Sequence, residues 1–486
     1  MADNSSRTVF SGLIWRFSER CAAQGVTLIV SFILARLLDP KDYGKIALVT
    51  VFTAVLQVFV NSGLGGALIQ KKHADDLDFS TVFYFNLVMC TVMYLFMFWA
   101  APFLAGFYRQ PSLVPVIRVL SLIIVISGIK NIQQAYVSRH MLFKKFFFST
   151  LGGTIGAAVA GIGMALLGYG VWALVCQMLL NALTDTVILW ITTGWHPKKM
   201  FSFARLKGLL AYGWKMLAAS MLDTIYNNLS GLIIGKRYSS ADLAYYNQAG
   251  KFPNLIVVNI NSSIDSVLLP ALSNEQDNKE RLRAMTRRAM ISSIYIMAPL
   301  MIGLACTAET VVRIVLTEKW LPCVPFLRIH CMVYLFYPVH TANLNAVAAQ
   351  GRSDIFLKLE AAKKIAGVAV LLFTMWISVR AMAYGMLVTS ILSQVINAWP
   401  NKKLLEYRYL EQLKDIMPAV FLAGVMGACI SFVPLAGLPD MAVLLIQVVL
   451  GAAIYLAGSA VLKLDSFLYL WSFIYPVISG KSRHDY

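Results

Sequence analysis

Charge is scarce in this 486-residue chain: Asp, Glu, Lys and Arg make up 14% of it, against 58% hydrophobic residues, and acidic residues number 24 to 42 basic ones. With a mean hydropathy of +0.68, that composition excludes an ordinary soluble domain and requires many bilayer-spanning segments. No interval between apolar runs is long enough to hold a separate soluble domain. Cysteine is also sparse. Cys21, Cys90, Cys176, Cys306, Cys323, Cys331 and Cys429 show no C-x-x-C or Cys/His spacing, which excludes a zinc site or disulfide framework and leaves them as small packing residues. No Ser/His/Asp or Cys/His constellation is present, and His330 and His340 have no acidic or cysteine partner at metal spacing, so neither an enzyme nor a metal cofactor is expected. A clean apolar signal-peptide core is missing too: Arg16, Glu19 and Arg20 interrupt the first apolar run, which is expected to stay as a spanning helix.

Long apolar runs are abundant. Segments of about 20 residues predict helices at 12–36, 44–67, 80–107, 113–137, 147–168, 171–193, 209–234, 243–270, 287–306, 324–349, 357–379, 381–399, 415–433 and 440–462, fourteen in all. The net charge of +18 collects in short connectors. Connectors on one side carry 24 Lys and Arg and those on the other carry 9. The positive-inside rule therefore puts both termini in the cytoplasm and accounts for the basic pI without a nucleic-acid partner. The apolar tail 467–478 is too short to span and is expected at the interface.

Three pairs of matches suggest an internal repeat. Arg36 and Asp42 close the first helical hairpin as Lys236 and Asp242 close the seventh; Val114-Pro115-x-x-Arg118 opens the fourth span as Val324-Pro325-x-x-Arg328 opens the tenth; Tyr169-Gly170 and Tyr384-Gly385 open the sixth and twelfth. Repeats of this kind build transporter folds. The predicted architecture is an all-α polytopic membrane protein with two six-helix lobes, 1–200 and 201–400, and two further helices with a tail, 401–486. Glycines 152, 153, 156, 161 and 163 in the fifth span predict close helix packing rather than a phosphate cradle.

Polar residues fall in stripes. Asn247, Lys251, Asn254, Asn261 and Asp265 share one face of the eighth helix, broken only by Val258. Tyr212, Lys215, Asp223, Tyr226 and Ser230 share a face of the seventh, with Asn227 beside them. Ionisable groups at bilayer depth cost about 2.5 to 3.5 kcal/mol each on insertion scales, so these faces are expected to line a hydrated cavity. In the first helix Arg16, Glu19 and Arg20 form one cluster, extended by Gln24, Thr27 and Ser31; it suits either anion binding or an interfacial salt bridge. Asp223 is the first candidate for ion coupling. Asp265 and Asp185 are others, Asp185 closing a stripe with Gln177 and Asn181 that equally suits an interhelical hydrogen bond. Glu360 and Lys364 form an i, i+4 pair.

The stretch Ala35-Arg36-Leu37-Leu38-Asp39-Pro40-Lys41-Asp42-Tyr43-Gly44 resembles the signature of the polysaccharide transporter branch of the multidrug/oligosaccharidyl-lipid/polysaccharide exporter superfamily. Glu318-Lys319-Trp320 with Val324-Pro325, and Asn61-Ser62-Gly63-Leu64, are similar to further segments of that branch. Within it, residues 15–44 most resemble the colanic-acid and teichuronic-acid exporters, relatives of the Wzx flippases. The resemblance implies a flippase in the bacterial inner membrane that moves a polyprenyl-pyrophosphate-linked oligosaccharide from the cytoplasmic to the periplasmic leaflet. It implies alternating access of the two lobes, no cofactor beyond a proton or sodium gradient, and the polysaccharide polymerase machinery as a partner; it does not settle stoichiometry, for which a monomer is the default expectation. Arg16, Arg20, Lys215 and Lys251 would then meet the diphosphate, with Glu19, Gln24, Asn227, Asn247, Asn254 and Asn261 as polar lining. A drug/cation antiporter and a lipid II flippase of the same superfamily are the alternatives.

Overall fold

The computed structural model describes residues 22–61, 64–433 and 437–469, apart from the side chains of Tyr212 and Lys215. Every regular element among them is helical, as required where no water is present to satisfy a backbone N–H or C=O. By packing, the chain divides into an N-terminal unit, Met1–Ala244, and a C-terminal unit, Tyr245–Tyr486.

The N-terminal unit runs through α1 (Ala22–Leu37), α2 (Pro40–Val60), α3 (Leu64–Gln70), α4 (Asp76–Phe107), α5 (Leu113–Leu120), α6 (Leu122–Arg139), α7 (Phe143–Leu166), α8 (Val171–Thr193) and α9 (Phe203–Arg237). α10 (Ser240–Asn274) begins in this unit and continues into the next. The C-terminal unit adds α11 (Lys279–Cys306), α12 (Ala308–Leu316), α13 (Val324–Leu335), α14 (Tyr337–Ala349), α15 (Ser353–Thr374), α16 (Val379–Ala398), α17 (Asn401–Leu404), α18 (Tyr409–Phe432) and α19 (Asp440–Val461). Among the described residues eleven helical stretches are long and apolar enough to cross a bilayer. Helix also forms at the three other expected spans, but none of the three meets that standard. α1 is described only from Ala22, α9 carries Asp223, Asn227 and Asn228, and α15 carries Lys358, Glu360, Lys363 and Lys364.

Two of the three repeat matches have structural counterparts. Arg118 Nε donates to the Phe98 carbonyl near the end of α4, and Arg328 Nε donates to the Ala305 carbonyl at the end of α11, both at 3.3 Å. The spans that contain these arginines are each broken once, at Ser121 and at Phe336, the second break being fixed by Pro338 at the start of α14. The hairpins at Arg36 and Lys236 also correspond, each turning from one long helix into the next within two residues. Gly44 in the first abuts the backbone of Ser240 in the second so closely that any Cβ would overlap it. The third match fails: Gly170 caps α8 in a left-handed conformation (φ 54°), whereas Gly385 lies inside α16 against Thr374. Its role is packing, so the shared dipeptide is coincidental.

Gly152, Gly153 and Gly161 of α7 pack closely as expected, whereas Gly156 is in no more than ordinary contact and Gly163 faces open space. A Cβ at Gly153 would press on the Asn181 carbonyl, and one at Gly161 would press on Gln177, so α7 and α8 meet nearly backbone to backbone.

The basic connector 195–207 is strapped down rather than loose. Asp78, fully buried, accepts on both carboxylate oxygens from Lys71 Nζ at 2.6 Å and from Arg205 Nη1 at 3.3 and 3.4 Å. Asp75 caps α4 by accepting from the Asp78 amide, and that bond holds its carboxyl below the usual carboxylate range. Lys198 pairs with Asp76 at 2.6 Å, and the Trp195 indole donates to Asp76 at 3.0 Å. Beneath this, Trp195 packs with Phe79, Phe83 and Leu68. Arg139 donates to the carbonyls of Leu68, Lys71 and Lys72 at the end of α3, where a cation also meets the negative end of the helix dipole.

In the C-terminal unit a ladder of ion pairs joins one end of α11 to the start of α18: Lys279–Glu406 at 2.8 Å, Arg283–Glu411 at 3.1 Å and Arg287–Asp415 at 2.6 Å. The Lys279 bond lowers the Glu406 carboxyl pKa. Glu360, expected to pair with Lys364, also pairs with Lys363 on the same helix face, where i, i+3 and i, i+4 neighbours meet.

Candidate functional site: polar faces at bilayer depth

α10 is 35 residues long and apolar enough to span, yet much of its accessible surface is polar, with Val258, Val267 and Leu269 exposed among the polar residues. Asn247, Lys251, Asn254, Ser262 and Asp265 are exposed, while Gln248, Ala249, Pro253, Val257 and Leu268 on other faces are buried. Lys251 follows Ser240 by eleven residues, about 16 Å along the axis at 1.5 Å per residue, roughly half the depth of the hydrocarbon core. Lipid contact would select apolar residues at such positions. Lysine, asparagine and serine there indicate water. Pro253 removes the helical donor of the Ala249 carbonyl, so the backbone beside Lys251 offers a further acceptor. Asn261 departs from the expected pattern. It is 8% exposed, and its Oδ1 has no hydrogen-bond partner among the described residues. Asp265 accepts from Asn345 Nδ2 at 2.8 Å, which ties the far end of the stripe to α14.

On α9, Asp223 and Asn227 are exposed, and Tyr226 and Ser230 half-buried. Leu222, 66% exposed, and Ile225 supply an apolar flank beside them. Lys215 lies on the same helix, but its side chain, like that of Tyr212, lies outside the described set. Arg16, Glu19 and Arg20 also fall outside the described residues. Gln24 is half-buried on α1, and Ser31 in the same line takes a bond on its carbonyl from the Tyr43 hydroxyl at 3.2 Å.

A second polar seam runs inside the N-terminal unit. Lys130 Nζ on α6 lies 2.9 Å from Asp185 Oδ2 on α8. Gln57 donates to Ser127, and Asn131 to Asn61, both at 3.2 Å between α6 and the α2 end. Asp185 thus takes an interhelical partner, and that partner, Lys130, was missed by the sequence reading. The signal was present in the form of a lone lysine within an apolar run. His330 and His340 are core residues: the first has Nδ1 2.8 Å from the Phe326 carbonyl, the second 3.1 Å from Asn397 Nδ2.

This arrangement places cationic and acidic side chains on accessible faces of long helices within an all-helical frame. A family model described as polysaccharide biosynthesis protein matches residues 33–325. The chain belongs to that family. Teichuronic acid biosynthesis protein TuaB of Bacillus subtilis is 22% identical over 440 residues, spanning 87% of this chain and 88% of that protein. Lipopolysaccharide biosynthesis protein WzxC of Escherichia coli is 25% identical over 360 residues, 73% of this chain and 72% of its own. Among solved structures, lipid II flippase MurJ in an inward closed conformation superposes with a TM-score of 0.76 at 13% identity, covering 93% of this chain and 99% of that one. An inward-facing multidrug resistance MATE transporter of the MOP superfamily gives 0.59 at 13% identity, covering 83% and 98%. At such identity the structures establish the fold alone. This polysaccharide biosynthesis family member is a multi-pass membrane protein with the fold seen in the lipid II flippase and MATE transporter structures.

Proposed function

We propose that the protein flips a polyprenyl-pyrophosphate-linked oligosaccharide from the cytoplasmic to the periplasmic leaflet of the bacterial inner membrane, its α9 and α10 polar faces being exposed alternately to either side. The observation that carries this reading is Lys251, accessible midway along an otherwise span-like helix and flanked by Asn247 and Asn254. A diphosphate needs cations, and its sugars need amide and hydroxyl partners in water; this face supplies both. Arg16, Arg20 and Lys215 are the further cations of the reading, with Gln24, Asn227 and Asn261 as polar lining. Asp223 is the coupling carboxylate toward protons or sodium, because a carboxylate at bilayer depth is the group an ion would neutralise. The chain acts as a monomer in two six-helix repeats, 1–200 and 201–400, followed by 401–486, with both termini cytoplasmic and the polymerase machinery receiving the product.

Deletion of the gene is expected to abolish the surface glycan and accumulate its lipid-linked precursor, with dye resistance unchanged. In proteoliposomes, Asp223→Asn is expected to abolish the response of transport to an imposed proton or sodium gradient. Unchanged glycan with increased dye sensitivity would replace this reading with that of a drug antiporter. A full gradient response in Asp223→Asn would remove Asp223 from coupling.

A further inference from the structure

We propose that the C-terminal unit holds one phospholipid with a zwitterionic phosphate-and-amine head, separate from the α9 and α10 faces. The site lies at the Cys306 end of α11, opposite the Lys279–Glu406 ladder. α11 is 28 residues long, about 42 Å at 1.5 Å per residue, close to a whole bilayer with its headgroups, so its two ends lie at opposite headgroup levels.

Two adjoining cavities meet there. One, of about 360 Å³, is polar and is lined by Glu309, Thr310 and Arg313 of α12, Arg328 of α13, and Asp440 and Gln447 of α19. The other, of about 580 Å³, is mainly apolar, with Pro325, Ile329, Met332, Leu387 and Tyr384 on its walls. Cys306, Arg328 and Ser431 line both, so the polar chamber continues into the apolar one. Tyr384 is 58% exposed and continues on α16 into exposed Val388 and Ile391, an apolar flank facing the acyl chains.

The charges fit a zwitterion. Arg328 is held by its Nε bond to the Ala305 carbonyl, and its terminal nitrogens make no hydrogen bond among the described residues. A guanidinium fixed in this way presents its remaining fork to a phosphate. Arg313, paired with Glu309 at 2.9 Å, stands beside it. Asp440 makes no ion pair among the described residues, and Gln447, two turns along the same face of α19, has a buried Oε1 with no partner among them. A buried acceptor without a donor costs about 1–3 kcal/mol, and an ammonium or hydroxyl of a headgroup would satisfy it. A free phosphate would use the arginines but neither Asp440, Gln447 nor the apolar chamber, so the occupant that matches the whole site is a lipid.

Native mass spectrometry of the full-length protein in detergent, with phosphatidylethanolamine, phosphatidylglycerol or inorganic phosphate added, tests this. The expected result is one retained phosphatidylethanolamine, bound at least about tenfold less by Arg328→Gln, since a hydrogen bond to a charged group contributes about 1.5–3 kcal/mol. Asp440→Asn, which breaks no ion pair or side-chain bond among the described residues, is expected to erase the preference for phosphatidylethanolamine over phosphatidylglycerol. Lipid retention unchanged in both variants would overturn the proposal, as would binding of inorganic phosphate with no lipid retained.

Discussion

Lys251→Ala is expected to abolish glycan export while the protein stays in the membrane at its normal level. The two halves of that outcome have separate causes. Lys251 is exposed, so removing its amine opens no cavity in a packed core and the fold is expected to persist. The amine is also a point charge, and a hydrogen bond from a charged group to phosphate contributes about 1.5–3 kcal/mol, or roughly ten- to a hundredfold in headgroup affinity. Lys251→Arg, which keeps the charge but changes its shape, should retain partial export. Surface glycan, measured beside membrane abundance, checks both halves; wild-type export by Lys251→Ala would remove the residue from the transport path.

Asp185→Ala is expected to destabilise the protein by about 3 kcal/mol, the lower end for breaking a buried ion pair because the Lys130 side chain keeps 21% of its surface. The loss arises mainly from stranding Lys130 in the middle of α6. A double change, Lys130→Met with Asp185→Leu, should therefore recover most of the stability, since a well-packed apolar pair does about as well as a buried salt bridge. Thermal unfolding in detergent reads both variants. If the double variant also recovers export, the pair is structural. If it is stable but does not transport, the pair belongs to the coupling machinery together with Asp223.

Much of the frame was legible because the bilayer leaves so few options. Apolar runs of spanning length became helices, Gly152, Gly153 and Gly161 became a close helix contact, and Arg118 and Arg328 each donated to a main-chain carbonyl of a neighbouring helix. The polar stripe of α10 was legible because only water tolerates asparagine and lysine on an accessible face at that depth. Pairing across helices was harder to read. Lys130 and Asp185 are 55 residues apart, and nothing in either local pattern specifies the other. The burial of Asp78 under Lys71 and Arg205 was hidden for a similar reason: basic connectors are explained by membrane orientation alone, so their ion pairs leave no further trace in the sequence. Tyr384-Gly385 misled because a two-residue match carries no information about where a helix begins.

The account depends on the accessible face of α10 being wet. In a background freed of native cysteines, single cysteines at Asn254, Ser262, Val257 and Trp99 should be treated with a water-soluble, membrane-impermeant maleimide in transport-competent membranes opened to the reagent on both sides. Asn254→Cys and Ser262→Cys should label, whereas Val257→Cys, buried at 3% exposure, and Trp99→Cys, 78% exposed on an apolar face, should not. Labelling at Asn254 and Ser262 no greater than at Trp99, in protein that still transports, would contradict a hydrated path along α10.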